Sequence, residues 1–186
     1  MLNDTNTEDK IAYCEKGAED EVKFVNVLVK KLNLPLIINP EKVKDKFALD
    51  LLDTRKSEPS DLKYQQTPFF KARSLYDLNP QYAVTINVKD IVRYLEQYGN
   101  PDIYFWLDWD KELEKEIGGK RYAVKSMAAI YVATTKQINK MNLPIHSYAR
   151  RINDQNGNKK DSYIVDARRF ECLFSCMPKR LLTWKT

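Results

Sequence analysis

The sequence predicts an α/β fold. Three observations carry that expectation. Apolar residues recur at helical spacing before residue 33, where Val22, Val25, Leu28, Val29 and Leu32 share one face. Three short β-prone segments follow, separated by turn signals. A second helical stretch then leads into Ile103–Trp109, a run of aromatic and β-branched residues.

Taken in order, a helix is predicted from about Glu15 to Leu32, after a polar, flexible leader over residues 1–14. Leu34–Ile38 reads as the first strand, closed by the turn signal Asn39-Pro40. Lys46–Asp53 reads as the second strand, Thr54–Pro59 as a charged turn and Ser60–Gln66 as the third strand. Residues 67–81 are expected to be irregular, and Tyr82–Val88 alternates like a strand. Asp90–Gln97 is predicted helical, stopped by Gly99-Asn100-Pro101. Ile103–Trp109 is the next strand, and Lys111–Ile117 a short charged helix or excursion ending at Gly118-Gly119. Ala123–Ala133 is predicted as a strand and Thr135–Met141 as a helix. Tyr148–Ile152 and Tyr163–Ala167 form a C-terminal β-hairpin candidate around the turn 154–160. Nothing marks a domain boundary, so residues 15–186 are expected to form one domain with a core over 15–109 and an extension over 110–186.

The chain has 186 residues, 31% of them charged, and a net charge of +5. The charge is uneven: residues 1–21 hold seven acids and two lysines. An acidic leader on a basic body suits a polyanion partner. Three cysteines and no signal peptide predict a reducing compartment, the cytoplasm. Cys172 and Cys176 have the spacing of half a zinc site, but the other half is missing, so buried thiols are expected. His146 is the single histidine. A Ser-His or Cys-His hydrolase and a histidine-metal nuclease are therefore disfavoured. No glycine-rich phosphate loop occurs.

The chemistry concentrates in two predicted strands. Asp50 lies in the second, and Asp61-Leu62-Lys63 opens the third. Strand side chains alternate, so Asp61, Lys63 and Gln65 share a face. Two carboxylates suit a hard divalent cation, with an ammonium beside it. Glu21 falls on the inward face of the first helix with Val25 and Leu28, and a glutamate there needs a reason. Of the three acid-x-lysine strings (8–10, 21–23 and 61–63), only the last is on a strand.

This order and these residues resemble the PD-(D/E)XK nuclease superfamily, whose restriction-endonuclease-like αβββαβ core sets one acid on the second strand and acid-x-lysine on the third; the resemblance implies a mixed central sheet flanked by helices. The segment Lys16-Gly17-Ala18-Glu19-Asp20-Glu21 is similar to the helix start of archaeal Holliday-junction resolvases, where a glutamate follows the glycine by four; that selects Glu21. Two features depart from the pattern: Leu49 precedes Asp50 where proline is common, and Asp61 replaces the more usual glutamate. The resemblance implies a Mg²⁺-dependent DNA endonuclease, with Mn²⁺ as substitute. Asp50, Asp61 and Glu21 are implied metal ligands, Lys63 the group that orients water or neutralises phosphate charge, and Gln65 a hydrogen bond to the scissile phosphate. Double-stranded or branched DNA is the implied partner, and a homodimer or higher homo-oligomer the implied state.

Candidate DNA-phosphate contacts are Arg55 and Lys56 in the predicted turn, Lys71 and Arg73 after the third strand, and Arg150, Arg151, Lys159 and Lys160 around the hairpin, with Arg168 and Arg169 beyond. Trp106, Trp109, Phe69 and Phe70 are expected in the core rather than as base-stacking platforms. The alternative function is a non-catalytic DNA-binding or assembly module on the same fold.

Overall fold

The computed structural model describes residues 10–148 and 161–176. The chain divides into two compact units, residues 1–60 with 150–158 and residues 61–149 with 159–186.

The first unit opens with a helix that begins at Lys10, earlier than the expected leader allows. It runs as α1 (Lys10–Lys23), widens into a π-helix at Phe24–Val29 and closes as α2 (Lys30–Leu32). The wider turn advances each side chain by a smaller angle and so rotates the buried face. Phe24, Leu28 and Val29 are buried, whereas Val22, expected to be inside, is 49% exposed. The αL residue Asn33 ends the helix.

β1 (Leu36–Ile38) and β2 (Leu51–Asp53) pair antiparallel, and β2 pairs antiparallel with the start of β3 (Glu58–Gln65). The second strand is much shorter than Lys46–Asp53. Before it, Asp45 accepts a bond from the Phe47 amide and the Asp45 carbonyl accepts one from Ala48, a turn that excludes a ladder. The connection from β1 is a 3₁₀ turn over Pro40–Val43, capped by the Asn39 side chain. The β2–β3 turn is shorter than predicted, with Ser57 at φ 55°. Asp53 accepts the amides of Arg55 and Lys56 there at 2.8 and 3.1 Å. It is a turn-forming residue.

In the second unit, the end of β3 pairs parallel with β5 (Asp102–Trp109) from Asp61↔Ile103 to Gln65↔Leu107. A parallel pair needs a crossover. Here it contains α3 (Lys71–Tyr76), β4 (Ala83–Asn87) and α4 (Val88–Tyr98). α3 corrects the irregular reading of 67–81: Lys71-Ala72-Arg73-Ser74-Leu75-Tyr76 holds helix formers but only Ala72 is buried, too little periodicity to read.

β5 continues the mixed sheet antiparallel to β8 (Met127–Thr134), and β8 pairs with β11 (Glu171–Cys176). β5 is buried along nearly all its length, with Trp106 and Trp109 at 1% and 0% exposure. Both tryptophans are core, as expected. α5 (Thr135–Lys140) follows β8, started by Thr134, whose hydroxyl accepts the Gln137 amide at 3.1 Å.

The expected charged helix at 111–117 is a strand. β6 (Leu113–Ile117) and β7 (Lys120–Val124) form a two-stranded ribbon. Gly118 and Gly119 join them with both φ angles positive, the turn that fits strand twist and excludes most side chains. Ala123–Ala133 therefore breaks into β7 and β8.

Tyr163–Ala167 corresponds to β10 (Ser162–Asp166), which pairs with β9 (Ile145–His146) on one side and with β4 on the other. The expected partner strand Tyr148–Ile152 lies, beyond Tyr148, outside the described residues. β4 thus belongs to a separate three-stranded sheet. The expected turn at 154–160 lies outside the described residues. Among the described residues no helix is long and apolar enough to cross a membrane.

Candidate functional site

Each unit contains one lysine held between two carboxylates. In the first unit the groups are Glu21 from α1, Lys42 from the 3₁₀ turn and Asp50 from the residue before β2. The Asn39 backbone amide donates to the Asp50 carbonyl at 3.0 Å, and its side-chain amide donates to the Leu49 carbonyl at 2.9 Å. Asn39 is 5% exposed and so fixes the backbone on which Asp50 stands. Replacing it leaves a buried carbonyl without its donor. Asn39→Ala is expected to cost about 1–3 kcal/mol of unfolding free energy in urea titrations.

The Lys42 ammonium donates to Glu21 Oε1 at 2.5 Å and to Asp50 Oδ1 at 2.6 Å. These side chains are 14% and 19% exposed, against 23% for Lys42. Burial and then the Asp50 charge push the Glu21 carboxyl up to about 6, although the Lys42 ammonium opposes the shift. Burial alone would lower the Lys42 ammonium; the hydrogen bond and charge of Asp50, then those of Glu21, outweigh it and raise the pKa.

The Glu21 shift has a defined sign. From 4.5 in the unfolded chain to about 6 in the fold, the folded state holds the proton more tightly. Its stabilisation is complete below pH 4.5 and is lost as pH rises through 6, by about 2 kcal/mol. Glu21→Gln is expected to flatten that part of a stability-against-pH curve.

In the second unit the groups are Asp61 and Lys63 from β3 and Asp90 and Tyr94 from α4. Lys63 Nζ lies 2.7 Å from Asp61 Oδ2, 3.5 Å from Asp90 Oδ2 and 3.2 Å from the Tyr94 hydroxyl, which accepts. Alternation along β3 brings Asp61 and Lys63 to one face, as the sequence predicts. Asp61 is 3% exposed, far from a solvated edge charge. Burial, then the Asp61 carboxylate, pushes the Tyr94 phenol upward, so it stays protonated. Asn87 Nδ2 donates to Asp90 Oδ2 at 3.3 Å, and the buried Ser162 hydroxyl donates to Asn87 Oδ1 at 3.1 Å. A polar chain thus runs from β10 to Lys63.

Sequence reading missed Lys42, Asp90 and Tyr94. For the last two a signal existed: they are i,i+4 neighbours beside the buried Ile91. Lys42 had none, being one of several lysines in a short polar connection.

Other expectations divide. Gln65 donates to the Thr67 and Ala83 carbonyls at 3.2 and 3.1 Å, so its amide nitrogen fastens the end of β3. Arg55, Lys56 and Lys71 are exposed. Arg73 is exposed and pairs with Asp77 at 3.0 Å. Arg168 pairs with Asp166 and lies over the Tyr82 ring at 4.5 Å. Arg150, Arg151, Lys159 and Lys160 lie outside the described residues. Cys172 is exposed and Cys176 half-buried, against the expectation of buried thiols. Phe70 is buried; Phe69 packs edge-on to His146 at 5.1 Å.

The donors present suit a hard divalent cation, being carboxylate oxygens. Glu21 and Asp50 already share one positive charge, that of Lys42. Among the described residues no group of three or more His, Cys, Asp or Glu side chains is gathered into a cation cage.

Compared with models of known protein families, with curated proteins and with solved structures, the chain matches none.

Proposed function

We propose that this protein is a Mg²⁺-dependent DNA endonuclease of the PD-(D/E)XK type, acting on duplex or branched DNA, with a homodimer or higher homo-oligomer as its working form. The observation that carries the reading is the Asp61–Lys63 pair. An acid-x-lysine string lies on a strand, with the carboxylate almost fully buried and the ammonium 2.7 Å away. Burying such a pair is expensive unless both charges are used or fully compensated. The element order, with β1, β2 and β3 as an antiparallel run and β3 parallel to β5 after a crossover, agrees with the same reading.

The proposed Mg²⁺-binding carboxylates are Asp61, beside Lys63 in the second unit, and Glu21 with Asp50 in the first. A bound Mg²⁺ supplies Lewis-acid polarisation of a phosphate oxygen and a more acidic water. Lys63 orients the attacking water or neutralises charge building on the phosphate. Asp90 and Tyr94 position Lys63 through their contacts with its ammonium. Arg55, Lys56 and Lys71 are proposed phosphate contacts, joined by the basic residues around 150–160.

The test is a cleavage assay on plasmid, linear duplex and junction DNA with Mg²⁺, Mn²⁺ or EDTA. Metal-dependent cutting supports the proposal; binding without cutting on every substrate points instead to a non-catalytic DNA-binding module.

A further inference from the structure

We propose that the Lys42 ammonium is a built-in occupant of the cation position between Glu21 and Asp50, and that it leaves when a divalent metal is taken up. The inference rests on the metal-dependent reading above and adds how that site is held shut before metal arrives.

Three observations lead there. First, one nitrogen meets both carboxylates, at 2.5 and 2.6 Å, from a 3₁₀ turn separate from the helix that supplies Glu21 and from the residue before β2 that supplies Asp50. Two partly buried carboxylates that repel each other require a positive charge between them, and Lys42 provides it. Second, the two cations claim the same atoms. Lys42 Nζ lies on Glu21 Oε1 and Asp50 Oδ1, and a Mg²⁺ bound to those oxygens at about 2.1 Å would stand against the ammonium, so metal entry displaces it. Third, Lys42 can withdraw. Its side chain is 23% exposed, it follows Pro40 and Glu41 in a single 3₁₀ turn, and its neighbour Val43 is 91% exposed. A four-carbon stem that ends at the surface reaches water by rotating its own torsions.

Exchange of this kind lowers the apparent metal affinity by the fraction of molecules in which Lys42 is already withdrawn. It also protects two carboxylates from mutual repulsion in the metal-free protein. Lys42 is thus a regulator of metal loading rather than a catalytic residue.

The test uses the intact chain. Lysine acylation is read by mass spectrometry with and without saturating Mg²⁺, and Mn²⁺ binding is followed by loss of the free-ion electron paramagnetic resonance signal. Labelling of Lys42 is expected to rise several-fold with Mg²⁺, while labelling of the exposed Lys44 stays constant. Lys42→Met is expected to bind Mn²⁺ about tenfold more tightly. If that variant does not fold, labelling of the native chain decides alone. Metal binding with Lys42 labelling unchanged overturns this inference and leaves the nuclease reading standing. No Mn²⁺ binding by either protein overturns both.

Discussion

Lys63→Ala is expected to lower DNA cleavage about 10³-fold, about 4 kcal/mol of transition-state stabilisation, with duplex binding nearly unchanged. The reason is position. Lys63 is the one cation on the β3 face shared with Asp61, and its ammonium is held by Asp61, Asp90 and Tyr94. Under the proposed function, removing it takes away the group assigned to the reacting phosphate, whereas the surface arginines and lysines that would hold the duplex stay in place. Binding is measured by fluorescence anisotropy and cutting by single-turnover kinetics, with a circular dichroism melt to show that the variant is folded. A folded Lys63→Ala protein that cuts at the native rate removes Lys63 from the chemistry. Lys63→Arg keeps the charge but not the compact shape, and is expected to recover binding geometry without recovering full activity.

The largest stability effect is expected at Trp106. Its side chain is 1% exposed on β5, the strand that pairs with β3 on one side and β8 on the other. It stacks on Tyr64 at 3.9 Å between ring centroids. Trp106→Ala removes buried area and leaves a cavity, so a loss of about 3–5 kcal/mol is expected from urea unfolding of the second unit. Trp106→Phe keeps most of the packing and is expected to lose far less. A loss below about 1 kcal/mol for the alanine variant would show Trp106 free to serve as a base-stacking surface rather than core.

The two expectations are linked through the same ladder. Lys63 pairs in register with Phe105 and Tyr64 with Trp106. The strand that presents Asp61 and Lys63 is therefore held by the most deeply buried strand of the unit. A site on such a strand keeps its geometry better than one on a loop.

Much of this was legible in the sequence because it is local. Period-two alternation placed Asp61 and Lys63 on one face, and the β-prone run Ile103–Trp109 marked a strand. Helical spacing aimed Glu21 inward. Gly99 ended α4 as expected. Where local signals failed, a competing preference had won. The π-helical turn at Phe24–Val29 rotated the buried face away from Val22, a change that no spacing rule at a single period describes. Leu113–Ile117 carries two glutamates and a lysine, which read as helix, but pairing across Gly118-Gly119 made it a strand.

The sequence by itself determined the α/β class and the strand that holds Asp61 and Lys63, since each follows from side-chain periodicity within one segment. Only the tertiary structure decided which charges meet. That Lys42 closes on Glu21 and Asp50, and that Asp90 and Tyr94 reach Lys63, depends on residues from separate elements. Such pairings are set by how buried faces and backbone turns bring elements together, and a charged side chain leaves no periodic mark of the partner it will find.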